Sequence, residues 1–335
     1  MSRQDRLSAD LEHGFTALEE GRIDDAIVAS ERVQRIDRKH PGVMALVAAC
    51  ADAQGDAEAA LAAYRALIEV TPDDPMPRIC AARIELRDEG NPEAALETLE
   101  KAFAYIDEER DLVEAILVRS EALIALDELA DARESLAELA SSVIDDPVLA
   151  LDLAELALAA EDPASAARYV EIAQTDPELR ADALHALGRV HELRDERPAM
   201  IAAWQQVRAL DAAAPPPSVS ISEDEVERIA LAALELLPPE VRAKLANVPI
   251  LIDEAPAEAL VADGTDPRLL GLFSGSPMSE VLAPVVTNIH LFKRNLERAA
   301  HDLDELATEI TITVLHETAH YFGLEEDDLV ALGLD

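Results

Sequence analysis

The segment Gly21-Arg-Ile-Asp-Asp-Ala26 decides the fold of most of the chain, because it recurs along the sequence. It returns as Gly55-Asp-Ala-Glu-Ala-Ala60 and as Gly90-Asn-Pro-Glu-Ala-Ala95, after steps of 34 and 35 residues. A small residue five positions after each glycine lets two helices approach closely, and the glycine suits the turn between them. The pattern therefore predicts a repeating pair of helices.

The same register continues without glycine at Asp127, Glu161 and Asp195, after steps of 37, 34 and 34 residues. We therefore expect about six repeats over residues 8–211. Tyr64 and Trp204 occupy packing positions of the second helices, so they are predicted to lie in the core.

A period of 34 residues with helix-turn-helix pattern is that of tetratricopeptide repeats, and residues 8–211 resemble this family. The resemblance implies an α-solenoid that binds a protein or peptide partner. The alternative is an array that acts only as a spacer against the domain that follows.

Residues 212–221 contain three consecutive prolines, which cannot continue a helix, and predict a short linker. Runs of apolar and β-branched residues at 248–252, 269–277 and 285–292 then predict three strands. With helices before and after them, residues 222–335 are predicted to form a small α+β domain.

Composition limits the classes of partner. The net charge of −41 argues against nucleic acid and against anionic membrane surfaces. No run approaches the roughly 20 apolar residues of a membrane span, and no signal peptide is visible. Cys50 and Cys80 lie in segments with a helical pattern and are distant in sequence from the candidate functional residues. We therefore expect a cytoplasmic protein.

The segment His316-Glu-Thr-Ala-His320 carries the chemistry. On a helix its two histidines project from one face about one turn apart, so both imidazoles can reach one Zn²⁺. Glu317 can then stand beside a metal-bound water and take its proton. Glu326 stands six residues after His320, where a turn past Gly323 can bring a third ligand back to the metal.

The second domain resembles a zincin-like metallopeptidase family. The matching segments are Leu270-Gly-Leu-Phe-Ser-Gly275, Ile289-His-Leu-Phe292, Asn295-Leu-Glu-Arg298, and the stretch 314–329 around the two histidines. The resemblance implies that His316 and His320 bind zinc, that Glu317 is general base and then proton donor, and that Glu326 is the third ligand. Glu325 and Asp327 remain rivals for that third position.

Several supporting roles stay open at this point. His290, His301 and Tyr321 are candidates for stabilising the oxyanion, and no spacing selects one. Thr313 and Glu309 lie on the helix face of His316 and could accept a proton from an imidazole. A substrate strand could add along 286–292, if that segment is the edge of the sheet over the metal.

The sequence thus predicts a zinc-dependent peptidase in which a repeat array recruits protein substrates. The alternative is an interaction scaffold that carries an inactive or structural zincin-like module.

Overall fold

The computed structural model describes residues 2–245, 248–274 and 288–322. The chain divides into two compact units, Met1–Asp176 and Pro177–Asp335. The sixth predicted helix pair therefore lies in the second unit. The boundaries 8–211, 212–221 and 222–335 stay predictions.

The first unit consists of helices paired by short turns, as the repeat pattern predicts. Their bounds are Arg3–Glu19 (α1), Ile23–Ile36 (α2), Pro41–Ala53 (α3), Ala57–Val70 (α4), Met76–Arg87 (α5), Pro92–Phe103 (α6), Glu109–Ala125 (α7), Leu129–Ala137 (α8), Pro147–Ala159 (α9) and Pro163–Ala173 (α10). A 3₁₀ turn, Glu138–Ser141, extends α8.

The second unit opens with one more helix pair and continues with a small sheet among helices. The helices are Arg180–Leu193 (α11), Arg197–Ala213 (α12), Glu223–Glu235 (α13), Pro239–Leu245 (α14), Glu258–Ala262 (α15), Lys293–Ala299 (α16) and Leu303–Tyr321 (α17). The strands are Ile250–Asp253 (β1), Gly271–Ser274 (β2) and Asn288–Phe292 (β3). This confirms the predicted fold class, a helical repeat array followed by a small α+β domain.

The turns between paired helices confirm the predicted register. In each of the six pairs the turn contains a residue in the left-handed region of φ. The angles are 72° at Gly21, 74° at Gly55, 59° at Gly90, 60° at Asp127, 55° at Glu161 and 57° at Asp195. Glycine adopts this conformation without steric cost, whereas the other side chains adopt it against a penalty of roughly 1–2 kcal/mol.

The small-residue positions of the array are fully buried, as predicted. Five alanines at the same offset in successive second helices are each 0 % exposed: Ala26, Ala60, Ala95, Ala132 and Ala166. The aromatic rings predicted to lie in the core are also buried, Tyr64 at 6 % and Trp204 at 2 %. The methyl-sized side chains allow the two helices of a pair to pack closely.

In the sheet, the strand order is β1-β3-β2, with β1 parallel and β2 antiparallel to β3. The condition set for a substrate strand along residues 286–292, that this segment is the sheet edge, is therefore not met, because in the described sheet β3 lies in the centre and β2 lies at an edge. Alternation along a strand specifies which face is buried but does not specify which strands flank it. Ile289 and Leu291 of β3 are 1 % and 0 % exposed.

One apolar core joins the sheet to its helices. Helices α13 and α17 and strand β3 each contribute fully buried aliphatic side chains to it. These include Val226, Ala230, Ala233, Ile289, Leu291, Leu306, Ile310 and Val314. The core holds α17 in a fixed rotation against the sheet.

Helices α11 and α12 are tied to the sheet region by ion pairs within the second unit. Arg268 pairs with Asp182 at 2.6 Å and with Asp211 at 3.0 Å, and Arg298 also pairs with Asp211. Burial alone would raise the pKa of Asp211, but hydrogen bonds from Arg268 and Arg298 outweigh it and hold that pKa below its ordinary value. Asp211 is therefore a buried carboxylate stabilised by two guanidinium groups.

No helix within the described residues combines the length and the apolar character needed to cross a bilayer.

Candidate metal centre

Helix α17 carries the two histidines. Its N-cap is Asp302, whose Oδ1 accepts hydrogen bonds from the backbone N–H groups of Asp304 and Glu305 at 2.9 Å each. Asp302 therefore caps the start of the helix that carries the two histidines. The chain is extended at Ala300, with φ −105° and ψ 142°, and this separates α16 from α17.

A buried stripe sets the rotation of α17. Leu306, Ile310 and Val314 recur four residues apart and are 1 %, 0 % and 0 % exposed. Burial on this face outweighs the weak helix propensity of the β-branched run at 310–314. His316 and His320 therefore lie on a half-buried flank of the helix.

The structure brings the two predicted histidine ligands together. The distance from His316 Nε2 to His320 Nε2 is 3.0 Å, and the ring centroids are 4.7 Å apart with an interplanar angle of 76°. Two nitrogens bound to one tetrahedral Zn²⁺ at ~2.0–2.1 Å stand about 3.3 Å apart. The pair thus fits a divalent cation after an adjustment of a few tenths of an ångström.

The predicted third ligand lies outside the described residues, as do its rivals: Glu326, Glu325 and Asp327. The side chain of Tyr321 is also not described. Among the described residues, no group of three or more potential metal ligands is found. Two of the three expected ligands are therefore placed by the structure.

Glu317 is buried beside strand β2. Glu317 is only 7 % exposed, and its Oε2 accepts a hydrogen bond from the backbone N–H of Phe273 at 2.5 Å. The close approach depends on Gly271. A Cβ at that position would stand 2.6 Å from Thr313 Cγ2 and 2.9 Å from Glu317 Cγ.

Two oxyanion candidates lie elsewhere. His290 is opposite Leu272 in the β2–β3 register, so it lies on the sheet face opposite to that of Gly271, which meets α17. There its Nδ1 contacts Asp253 Oδ2 at 2.9 Å. His301 is 90 % exposed, hydrogen-bonded to Glu305, and 15 residues before His316, which is about 22 Å along the helix.

The roles expected for Thr313 and Glu309 stay predictions. Thr313 is buried at 6 % exposure, with its methyl group toward Gly271, and Glu309 is half-buried.

Sequence reasoning missed the contact of β2 with Glu317. The signal that was present is Gly271 inside a predicted strand, since glycine there often marks a close approach of backbone to another group. Which group lies against Gly271 depends on the order of the strands in the sheet, and this order cannot be predicted from the sequence pattern.

Comparison with known proteins supports both halves of the architecture. Residues 245–334 match the family described as zincin-like metallopeptidase, and residues 17–82 match the tetratricopeptide repeat. Both resemblances inferred from the sequence are thereby confirmed. No curated relative matches the chain.

Solved structures resemble the chain in fold. One is PilW, described as a widely conserved type IV pilus biogenesis factor, with a TM-score of 0.52 and 16 % identity over 61 % of this chain and 92 % of its own. Another is PilF of Pseudomonas aeruginosa, with a TM-score of 0.52 and 17 % identity over 62 % of this chain and 93 % of its own. At this identity the likeness concerns the fold alone.

Proposed function

We propose that this protein is a zinc-dependent peptidase whose repeat array binds a protein or peptide partner. The observation that carries the proposal is the His316–His320 pair, with Nε2 atoms 3.0 Å apart, next to the buried carboxylate of Glu317. The match of residues 245–334 to a metallopeptidase family supports the same chemistry.

The proposed roles follow from the donor set. His316 and His320 hold Zn²⁺ through Nε2, and Glu326 completes the set, with Glu325 and Asp327 as rivals. Bound zinc would supply a Lewis acid for the scissile carbonyl and a lowered pKa for a coordinated water. Glu317 takes the proton of the attacking water on a carboxylate oxygen and delivers it to the nitrogen of the leaving amine.

We place the substrate along β2 rather than β3. Phe292 N–H donates to Leu270 O at 2.8 Å, and hydrogen-bonded positions alternate along an antiparallel pair. Gly271 and Phe273 therefore direct their peptide groups away from β3, toward the outer edge of β2. An extended peptide added there would pair with Gly271 and with the carbonyl of Phe273 and would lie beside Glu317, which already accepts the N–H of Phe273.

The peptidase claim is tested by metal analysis and a peptide library. We expect stoichiometric zinc in the purified protein and hydrolysis that Glu317→Gln abolishes while the zinc remains. Asp304→Asn serves as the control, because Asp304 is an exposed carboxylate on the same helix. A zinc-loaded protein that cleaves nothing in the library would contradict the claim and leave the interaction scaffold as the function.

The third ligand has its own test. Glu326→Ala should weaken zinc binding by about 100-fold in a chelator competition, whereas Glu325→Ala and Asp327→Ala should change it by only a few-fold. A larger effect at either rival would move the ligand assignment to that residue.

For the array, we place the partner in a groove of 990 Å³ lined by α5, α7 and α9 and by the turn before α9. Its apolar lining includes Val113, Leu117, Val118, Val148 and Leu149. Val148 is 54 % exposed, and Val143, which also lines the groove, is 78 % exposed. This is apolar surface that a partner's side chains could cover.

The charges in the groove favour a basic partner. Two of its three arginines already pair with carboxylates, Arg83 with Glu114 and Arg87 with Asp52 and Asp88. Partial desolvation raises the pKa of Asp152, and the charges of Asp146 and Glu155 add to this effect.

Glu121 also lines the groove, and desolvation raises the pKa of its carboxyl group; the charges of Arg83 and Arg87 oppose this rise and the charge of Asp152 adds to it. An arginine or lysine placed between Glu121 and Asp152 would relieve this repulsion. The partner we propose is therefore an extended peptide in which basic and apolar residues alternate.

This partner is tested with a fluorescent decapeptide of alternating leucine and arginine. Glu121→Gln/Asp152→Asn should weaken its binding at least about tenfold, which is ~1.4 kcal/mol. The control Glu19→Gln/Asp24→Asn removes the same charge from exposed positions outside the groove and should change binding by less than about twofold. Equal losses in the two variants would show that the overall negative charge, and not the groove, binds the peptide.

A further inference from the structure

The backbone of β2 contacts α17 at the position of the proposed general base. Gly271 is buried, and its Cα lies so close to the helix that an added Cβ would also stand 3.1 Å from Glu317 Oε1. Two residues later, Phe273 N–H donates to Glu317 Oε2 at 2.5 Å. Both contacts are made by the backbone of one short strand.

The hydrogen bond does not compete with the sheet. The positions hydrogen-bonded to β3 alternate along β2. Phe292 N–H donates to Leu270 O, and the next such positions are Leu272, opposite His290, and Ser274, opposite Asn288. The N–H of Phe273 points the other way. Its donation to Glu317 therefore adds a bond at the edge of the sheet without removing one from the ladder.

An N–H donor to a carboxylate makes a charge-assisted hydrogen bond, which is short and roughly twice as strong as a neutral one. A glutamate side chain has three rotatable bonds, and fixing it in one orientation removes the entropy that would otherwise oppose a productive geometry. With one oxygen bonded to the strand, the direction of the other oxygen is also set.

We propose that the Gly271–Phe273 backbone is the positioning element for Glu317: Gly271 provides the space for β2 to contact α17, and the N–H of Phe273 orients the carboxylate. This rests on the proposed function for its consequence in turnover. The contact itself is a property of the folded chain and can be tested separately.

The first test uses metal-free protein and needs no turnover. We expect the Phe273 amide proton, followed by NMR, to exchange slowly with solvent in the unchanged protein and at least about tenfold faster in Glu317→Ala. Asp304→Ala, on the same helix, should leave that exchange rate unchanged. An exchange rate at Phe273 that does not respond to Glu317→Ala would overturn the proposal, whatever the activity.

The second test removes the donor. Phe273→Pro replaces the N–H with a ring Cδ that faces Glu317, so it removes the donor and displaces the carboxylate, while the bonds between β2 and β3 remain. Phe273→Ala loses the same ring but keeps the N–H. We expect kcat of Phe273→Pro to be about 100-fold below that of Phe273→Ala, with KM within about twofold and zinc content unchanged in both. Equal kcat values in the two zinc-loaded variants would contradict the positioning role.

The third test addresses the space at Gly271. Gly271→Ala should lower kcat, and adding Thr313→Ser should recover part of the loss, because it removes the Cγ2 atom nearest to the new Cβ. No recovery in the double variant would contradict the steric argument.

The outcomes separate this proposal from the peptidase claim. If the unchanged protein hydrolyses nothing but Phe273 exchange still depends on Glu317, the peptidase claim fails and the contact stands. If hydrolysis is found but the Phe273→Pro and Phe273→Ala variants are equally active, the peptidase claim stands and the positioning role fails.

Discussion

At the scale of single residues, the turns of the array show how a backbone angle constrains sequence. Gly21, Gly55 and Gly90 adopt positive φ, and a Cβ at any of them would meet nothing within 4 Å. The constraint there is conformational and not spatial. Where the array has Asp127 and Glu161 at the same position, the side chain is tolerated at a cost in backbone energy.

This predicts that Glu161→Gly stabilises the protein. Removing the strain of the left-handed backbone stabilises the folded state, whereas the greater flexibility of glycine stabilises the unfolded chain. The net effect should be a rise of about 1 kcal/mol in the free energy of unfolding. Glu161→Ala keeps the strain and should give no gain, and urea unfolding of both variants measures the difference. Equal stability of the glycine and alanine variants would show that the turn is not strained.

A second residue-scale prediction concerns Asp211. Asp211→Asn leaves Arg268 and Arg298 without their shared carboxylate, and should destabilise the protein by about 3 kcal/mol at neutral pH. Because the pKa of Asp211 is lower in the folded state, its contribution is present above the ordinary aspartate pKa of about 3.9. It is lost as the pH falls through the folded value.

Urea unfolding of the unchanged protein and of Asp211→Asn at several pH values measures this contribution. The gap between the two proteins should be constant from pH 7 to pH 5 and should narrow below about pH 4. A gap that widens on acidification would contradict the assignment of Asp211 as the stabilising carboxylate.

At the scale of elements, helix α11 packs on α12 with no room to spare. A Cβ on Gly188 would stand 2.0 Å from Trp204 Nε1 and 2.2 Å from Trp204 Cδ1. Trp204 in turn packs with Met200 against Val261 of α15, which is 0 % exposed. The ring thus connects the helix pair to the sheet region of the second unit.

Gly188→Ala is accordingly expected to lower the free energy of unfolding by roughly 1–3 kcal/mol, because the indole must shift in a close-packed core. Gly55→Ala is not a suitable control, since its φ of 74° adds strain. Ala186, buried on the same helix, offers a better comparison, and Ala186→Gly should cost about 1 kcal/mol through helix propensity. An unchanged urea midpoint in Gly188→Ala would show that the contact is loose.

The elements also show what could be predicted from the sequence. Helix pairs were predictable because their period recurs, and the start of α17 at Asp302 follows from local capping chemistry. The central place of β3 was not, because strand order depends on contacts between distant segments. The Glu317–Phe273 bond joins residues 44 positions apart, and Arg268 reaches Asp182 over 86 positions. No local pattern encodes such pairs.

At the scale of the whole molecule, we predict that the second unit needs the helix pair α11–α12. A chain of residues 177–335 retains the ion pairs of Arg268 with Asp182 and Asp211 and the packing of Trp204 against Val261. A chain of residues 222–335 lacks Asp182, Asp211 and Trp204 and therefore loses these contacts. The shorter chain should be less stable by at least about 3 kcal/mol, or fail to fold. Equal urea midpoints for the two chains would contradict this dependence.

The central claim is that His316 and His320 jointly bind a catalytic zinc ion, and zinc K-edge X-ray absorption of the loaded protein tests it most directly. We predict two imidazole nitrogens at about 2.0–2.1 Å with oxygen ligands completing the shell, and the loss of one imidazole in His316→Ala and likewise in His320→Ala. A zinc shell that is unchanged in both variants would contradict the claim.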